Sequence, residues 1–303
     1  MAMLDDVRRA LASVVSIPVT PFDETGRIDE KAYAAVVSRM VAAGVTTVTP
    51  NGNTGEFYSL SAGELNRVVA LAVEAAGEAC VIAGVGHDAG QAARLATEAL
   101  RLGAHAVMVH QPVHPYQSED GWVDYHRTVA EAVPGLGVVC YLRSPLITAA
   151  TVRALVGACP NVVGVKYALP DAVRFAEMAA AAPEVTWVCG LAESWAPFYW
   201  MGGARGFTSG LVAIAPELSL RLHGLLEAGD VAEAMRLWRL LKPIEDLRAR
   251  RGNAGNVSVV KEALAQLGLC RRDVRPPIST LPRAERDEVS AILRSLDLAP
   301  GGA

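Results

Sequence analysis

Lys166 occupies the position in this sequence best suited to chemistry. It ends a short apolar run, Asn161-Val-Val-Gly-Val-Lys166, between Pro160 and Pro170, and this pattern predicts a buried strand. Burial of an ammonium group lowers its pKa, and a neutral lysine amine can attack a carbonyl carbon to form a Schiff base. For Lys166 taken alone, the alternative interpretation is a solvated lysine at the end of a strand.

Polar residues that could serve such a reaction follow three other apolar runs. The turn 52–56 is glycine-rich, and its backbone N–H groups suit a carboxylate. Tyr141 ends another run and could pass a proton to or from a substrate. Arg143 could bind a carboxylate bidentately or form a salt bridge at a rim. His114 lies in the loop after a third run, where it could transfer protons or simply pack.

The elements that must position these residues alternate along the chain. Eight short runs rich in Val, Ile and Thr predict strands at 14–19, 45–49, 80–83, 106–109, 137–141, 162–166, 186–189 and 206–208. Longer amphipathic stretches between them predict helices, so the strands should pair in parallel. Even spacing of the eight units favours a closed (β/α)8 TIM barrel of the α/β class over an open doubly wound sheet. Reactive residues of such a barrel lie at the C-terminal ends of its strands.

The pattern changes after Gly210, where four successive helices are predicted without strands between them. We therefore expect a barrel domain at 1–215 and a C-terminal helical segment at 216–303. Within that segment, the run 248–251 is expected to be a solvated helix face. Trp195 and Trp238 are interpreted as core or subunit contacts.

Composition excludes several classes of function. The 303 residues carry a net charge of −4 and no basic block, so neither nucleic acid nor an anionic membrane surface is an expected partner. No apolar run of about 18 residues predicts a membrane span, and the N-terminus lacks the order of a secretory signal. Five cysteines without a Cys-x-x-Cys pair suggest core thiols in a reducing cytoplasm. The histidines are not spaced as metal ligands, so neither a metal nor a cofactor is expected.

Several motifs together resemble the dihydrodipicolinate synthase/N-acetylneuraminate lyase superfamily. They are 18–22 (Pro-Val-Thr-Pro-Phe), 52–57 (Gly-Asn-Thr-Gly-Glu-Phe), Tyr141, 164–166 (Gly-Val-Lys) and 206–210 (Gly-Phe-Thr-Ser-Gly). The resemblance implies that Lys166 forms the Schiff base with a 2-oxo acid and that Tyr141 is the proton shuttle. It further implies a substrate-binding role for Asn53, Thr54, Gly55, Arg143, His114, Gly190 and Ser209, and a homotetramer or dimer. Glu56 is expected in a buried network rather than in proton transfer.

Departures from the synthase pattern point to another branch of this superfamily. Asn53 stands where the synthases usually carry Thr, and Val113 and His114 stand where they carry a tyrosine pair. Arg143 lies two residues after Tyr141, and 54–60 reads Thr-Gly-Glu-Phe-Tyr-Ser-Leu; both are similar to the 5-dehydro-4-deoxyglucarate dehydratases. Tyr167-Ala168 after Lys166 departs from that branch, which usually has Asp-Gly there.

The sequence therefore predicts a class I lyase that acts on pyruvate or a deoxy-oxo sugar acid, by dehydratase or aldolase chemistry. One alternative is 4-hydroxy-tetrahydrodipicolinate synthase, which joins pyruvate to aspartate semialdehyde. An alternative of another class is a regulatory protein that binds a 2-oxo acid without turnover. The changed tyrosine pair motivates that last hypothesis, and the presence of both Lys166 and Tyr141 argues against it.

Overall fold

The computed structural model describes residues 2–298 and contains a closed eight-stranded parallel barrel, which confirms the predicted fold class. The strands follow one another around the barrel in chain order, and β8 closes it against β1. They are β1 (Val14–Ser16), β2 (Thr47–Val48), β3 (Cys80–Val85), β4 (Ala106–Val109), β5 (Gly137–Leu142), β6 (Val162–Tyr167), β7 (Thr186–Cys189) and β8 (Gly206–Ser209).

Twelve α-helices are described around and after this barrel. They are α1 (Ala2–Leu11), α2 (Glu30–Ala42), α3 (Ala62–Ala76), α4 (Ala89–Arg101), α5 (Glu119–Ala132), α6 (Ala149–Ala158), α7 (Ala172–Ala181), α8 (Ala192–Met201), α9 (Pro216–Glu227), α10 (Val231–Asn253), α11 (Ser258–Gln266) and α12 (Arg283–Ser295). Helices α2 to α8 connect consecutive strands, as expected for right-handed crossovers. Side-chain caps explain several of the starts: Ser61 forms a capping box with Glu64, and Asp29 accepts from the Ala32 N–H.

Helix α1, which was not predicted, closes the N-terminal end of the barrel. Its Val7 and Leu11 pack into the barrel interior, against side chains from β1, β3, β4, β5, β6 and β7. The approach is close enough that a Cβ at Gly164 would lie 2.5 Å from Leu11 Cδ1. With this end filled, the opposite, C-terminal end of the barrel remains for a site.

The helices that follow β8 pack on one side of the barrel. Helix α10 lies along α8 and α9, and α11 contacts both α10 and α12. Leu241, Ile244 and Leu247 of α10 are buried in the same apolar cluster as the barrel helices. Residues 299–303 of the predicted segment lie outside the described residues. Along 2–298, no helix is both long and apolar enough to span a membrane.

Helix α10 is regular nearly up to its predicted end. The pattern predicted a helix over 231–250, and φ and ψ stop being helical at Arg250, Arg251 and Gly252, in a kink that leads to Asn253. Gly252 has a φ of 66°, a conformation that glycine adopts at little cost. After the kink, the chain continues to Asn256, which accepts a hydrogen bond from Arg248, and then to α11.

Candidate active site

A cavity of about 580 Å³ opens at the C-terminal ends of the barrel strands. Its inner wall contains Lys166, Tyr141, Asn53, Thr54 and Gly210. Its outer wall is formed by α8, α10 and the chain after α10, with Trp195, Phe198, Trp238, Lys242, Glu245, Arg248, Asn253 and Asn256 among the lining residues. The barrel and the C-terminal helices therefore both contribute to one cavity.

Lys166 and Tyr141 face each other on adjacent strands. They are register partners on β6 and β5, and Lys166 Nζ lies 4.1 Å from the centroid of the Tyr141 ring. Lys166 is only 5% exposed, and none of the carboxylates in the described part of the chain forms an ion pair with it. Burial, reinforced by the positive charge of Arg143, lowers the pKa of Lys166 to about 7. A large share of this amine is therefore neutral, and nucleophilic, at neutral pH.

The hydroxyl of Tyr141 contacts the turn after β2. Asn53 Nδ2 donates a long hydrogen bond of 3.4 Å to Tyr141 Oη. Burial raises the pKa of Tyr141, while Arg143 and the Asn53 hydrogen bond oppose that rise. The Arg143 guanidinium carbon lies 6.0 Å from the Tyr141 ring, and no carboxylate within residues 2–298 pairs with it. The alternative of a rim salt bridge thus has no partner in this structure.

The turn 52–56 forms one side of the inner wall. Asn53 and Thr54 face the cavity from a one-turn 3₁₀ helix, whereas Gly55 is buried behind them and accepts a hydrogen bond from Thr20 Oγ1 at its carbonyl. The next residue, Glu56, has a φ of 61° and points away from the cavity. Its carboxylate accepts from Lys261 Nζ at 2.5 Å and from the Arg275 N–H at 2.9 Å. Glu56 thus belongs to a buried network, as the sequence suggested.

Two further residues expected at the substrate lie, like Gly55, outside the cavity lining. His114 is exposed, and its ring bonds the backbone of Tyr116 within the β4–α5 loop rather than facing the cavity. Ser209 is buried, and its hydroxyl donates to Glu193 Oε1 at 2.5 Å. Each of these two polar groups is therefore already engaged by its own surroundings. Gly190 does line the cavity, and a Cβ there would lie 3.0 Å from Lys166 Cγ.

Glu193 is a buried carboxyl behind this wall that sequence reasoning overlooked. It is 0% exposed, Ser209 and Ser219 both donate to its Oε1, and its Oε2 has no partner among the described residues. Burial and the negative charge of Glu245 raise the pKa of Glu193 to about 7. A proton on Oε2 would remove the cost of an unpaired buried charge.

Arg248 is the clearest correction to the sequence analysis. Arg250 and Arg251 do form exposed ion pairs with α12, but Arg248 is 5% exposed and faces the cavity. Its guanidinium donates to Glu245 Oε1 at 2.5 Å and to Asn256 Oδ1 at 2.7 Å. The signal was present in the sequence, because Glu245 and Arg248 are three residues apart and share the apolar face of α10.

The described residues hold no set of three His, Cys, Asp or Glu side chains arranged to bind a metal ion. His110 in particular is a packed residue. It is buried, its Nε2 is 2.8 Å from the Asn51 carbonyl oxygen, and its ring stacks on Phe57. Burial lowers the pKa of His110 to about 3. It therefore remains neutral at physiological pH.

Comparison with known proteins agrees with this geometry. The model of the dihydrodipicolinate synthetase family matches residues 10–296. A protein of Hyphomonas neptunium named 4-hydroxy-tetrahydrodipicolinate synthase is 35% identical over 289 residues, covering 92% of this chain and 96% of the relative. A probable 5-dehydro-4-deoxyglucarate dehydratase of Rhizobium rhizogenes is 28% identical over 300 residues, covering 97% and 99%.

A solved structure gives the same result for the fold. The crystal structure of dihydrodipicolinate synthase from Oceanobacillus iheyensis superposes with a TM-score of 0.93 at 35% identity, covering 97% of this chain and 99% of that one. The resemblance seen in the sequence motifs is therefore confirmed along nearly the whole chain. The protein belongs to the dihydrodipicolinate synthetase family and is an enzyme of the lyase type.

Proposed function

We propose that this enzyme forms a Schiff base between Lys166 and a 2-oxo acid, and that its substrate is a deoxy-oxo sugar acid. The observation that carries the proposal is the buried, unpaired amine of Lys166 beside Tyr141, with its pKa lowered to about 7. The neutral amine attacks C2 of the 2-oxo acid, and loss of water gives an iminium. Its positive nitrogen stabilises the carbanion that forms when a proton leaves C3.

Tyr141 is the proposed proton carrier. Its ring lies 4.1 Å from the Lys166 amine at the same cavity, and its hydroxyl accepts a hydrogen bond from Asn53. It returns protons during iminium formation and elimination, as a general acid–base group. In the dehydratase reaction, the enamine formed at C2–C3 expels the C4 hydroxyl, which leaves as water. In the aldolase reaction, the C3–C4 bond breaks instead.

The two ends of the substrate have separate proposed contacts. Thr54, Asn53 and the backbone N–H groups of these two residues bind the C1 carboxylate, since the N–H groups of Gly55 and Glu56 already donate within the turn. Arg143, unpaired at the cavity, binds a carboxylate at the far end of a longer substrate. This arrangement favours a dicarboxylic sugar acid over pyruvate alone.

The dehydratase hypothesis is preferred over lysine-pathway synthesis. The loop that carries a tyrosine pair in the synthases presents Val113 and His114 here, and both are exposed, outside the cavity. The relative named as a synthase, at 35% identity, supports synthase activity as the second hypothesis.

Assembly as a dimer or tetramer is supported by three exposed side chains near the barrel mouth, Tyr58, Val113 and Tyr116. Analytical ultracentrifugation tests this assembly.

A substrate panel tests this ranking. The purified enzyme is supplied with 5-dehydro-4-deoxyglucarate, with other 3-deoxy-2-oxo sugar acids, and with pyruvate plus aspartate semialdehyde. Turnover of a sugar acid at ordinary enzyme rates, lost in Lys166→Ala, supports the dehydratase or aldolase assignment. Efficient turnover of pyruvate plus aspartate semialdehyde would reverse it. Binding without turnover of any substrate would favour the regulatory protein.

A further inference from the structure

Arg248 presents unused hydrogen-bond donors to the cavity although its guanidinium is buried. A guanidinium has five N–H groups. The described contacts use three: Nη1 to Glu245 Oε1, Nη2 to Asn256 Oδ1 and Nε to the Asn256 carbonyl. The remaining two N–H groups, one on each terminal nitrogen, have no acceptor among the described residues. A buried cation with unused donors at the wall of a cavity is suited to an anionic ligand.

Gly210 brings this guanidinium next to the proposed carboxylate site. A Cβ at Gly210 would lie 2.8 Å from Arg248 Nη2 and 3.2 Å from Thr54 Oγ1. Arg248 and Thr54 are therefore at most about 6 Å apart across the bare glycine. This separation places a carboxylate bound at Thr54 within reach of Arg248 as well.

The residues behind Arg248 hold it in this position. Glu245, before the kink in α10, and Asn256, after it, each accept a hydrogen bond from the guanidinium. Glu193 is the next charged group, and the pKa of this carboxyl is raised by burial and by Glu245. With Glu193 protonated, Arg248 and Glu245 together are neutral. An incoming carboxylate then meets donors without a net negative charge behind them.

We propose that Arg248, supplied by the C-terminal helical segment, binds the C1 carboxylate of the 2-oxo acid together with Thr54. This inference rests on the proposed function, because it assigns a second contact to the same substrate. Arg143 and Arg248 then have different roles: Arg143 recognises the far end of the substrate, and Arg248 the end that is bonded to the Schiff-base carbon. The helical segment is thereby part of the substrate site.

The test compares two carbonyl compounds that differ in one charge. Pyruvate and methyl pyruvate have the same 2-oxo group, but the ester lacks the anionic carboxylate. The rate of reductive trapping on Lys166 is measured for both by intact mass spectrometry. In Arg248→Gln, we expect pyruvate trapping at low concentration to fall about 10- to 100-fold, the range of one charge-assisted hydrogen bond. Methyl pyruvate trapping should stay within about threefold.

Two further variants separate binding from folding. Arg250→Gln, on the same helix but in an exposed ion pair, is the matched control and should leave both rates unchanged. Because Arg248→Gln leaves Glu245 unpaired, Glu245→Gln/Arg248→Gln removes both charges together and guards against misfolding. The double variant should show the same selective loss with pyruvate.

Each outcome bears on a different claim. Equal loss with both compounds in the folded double variant, or no loss with either, overturns the role of Arg248 and leaves the Schiff base standing. Failure of the wild-type enzyme to form an adduct on Lys166 with these two compounds and with longer 2-oxo acids overturns the proposed function and this inference with it.

Discussion

Lys261 and Glu56, 205 residues apart in sequence, form an ion pair at 2.5 Å in which both side chains are fully buried. Lys261 Nζ also donates to the Asp273 carbonyl and lies 4.0 Å from the centroid of the Phe22 ring. The pair thus joins α11 to the residue that follows Thr54 and Gly55. The C-terminal segment supports the turn 52–56 from behind, while Arg248 reaches the cavity from the side.

Lys261→Met should therefore destabilise the protein strongly. It leaves the Glu56 carboxylate buried with only the Arg275 N–H as donor, and breaking a buried pair in this way costs about 3–5 kcal/mol. Urea denaturation measures the loss. Arg67→Met is the matched control, because its pair with Glu30 is exposed to solvent and should contribute little to the free energy of unfolding. A similarly small loss of unfolding free energy in both variants would contradict the structural role of Lys261.

Tyr141→Phe should separate imine formation from turnover. The ring remains beside Lys166, but the hydroxyl that carries protons is lost, so kcat should fall about 10²- to 10⁴-fold. Reductive trapping of a 2-oxo acid on Lys166 should still succeed in this variant. Asn53→Ala removes the long 3.4 Å hydrogen bond to the hydroxyl and the proposed contact of the Asn53 amide with the substrate carboxylate, so it should raise KM and have a smaller effect on kcat. Unchanged kcat in Tyr141→Phe would assign the proton transfer to another group.

The rate of imine formation should depend on pH through Lys166. Its pKa is lowered to about 7, mainly by burial and secondarily by Arg143, so the neutral amine becomes the major form as the pH rises above 7. The rate of adduct formation between Lys166 and pyruvate is measured by trapping the imine with cyanoborohydride. Divided by the rate for a free-amine standard, it should rise through this pH range and then level off. Arg143→Gln should move the midpoint upward, because the nearby cation that disfavours the ammonium is gone. A midpoint near the ordinary lysine pKa would contradict a desolvated amine.

Lys166→Met should stabilise the folded protein, and more so at low pH than at high pH. The folded-state pKa lies below the unfolded-state value, so the burial penalty is fully present below pH 7 and fades as the pH rises toward 10.5. The penalty corresponds to no more than about 5 kcal/mol. Urea denaturation at pH 6.5 and at pH 10 measures the difference. A loss of stability at pH 6.5 would mean that Lys166 is held by favourable contacts instead.

Local patterns were sufficient to predict the barrel. Most strands are runs of buried apolar residues between turn signals, and the even spacing of these runs predicted one helical crossover between each pair of strands. Lys166 and Tyr141 could therefore be placed at the ends of strands. Helix α1 was not predicted because charged residues interrupt its apolar pattern. Val7 and Leu11, which it buries, stand among Asp5, Asp6, Arg8 and Arg9.

Long-range contacts explain what the sequence could not predict at the site. Arg248 looked like part of a solvated face because its neighbours Arg250 and Arg251 are solvated, and only its approach to Gly210 and Asn256, which local spacing does not reveal, buries it. Ser209 lies at the end of β8 as expected, yet its hydroxyl donates a hydrogen bond to Glu193 of α8. Such partners are far apart in sequence, so no local spacing reveals them.

Reductive trapping of pyruvate, followed by peptide mass spectrometry, tests the Schiff-base mechanism most directly. The mechanism predicts one pyruvyl adduct, located on Lys166, that forms at neutral pH and is absent in Lys166→Ala. Lys261 and Lys242 serve as internal references, since the first is paired with Glu56 and the second with Asp246. An adduct on another lysine, or no adduct with pyruvate or any longer 2-oxo acid, would contradict the mechanism.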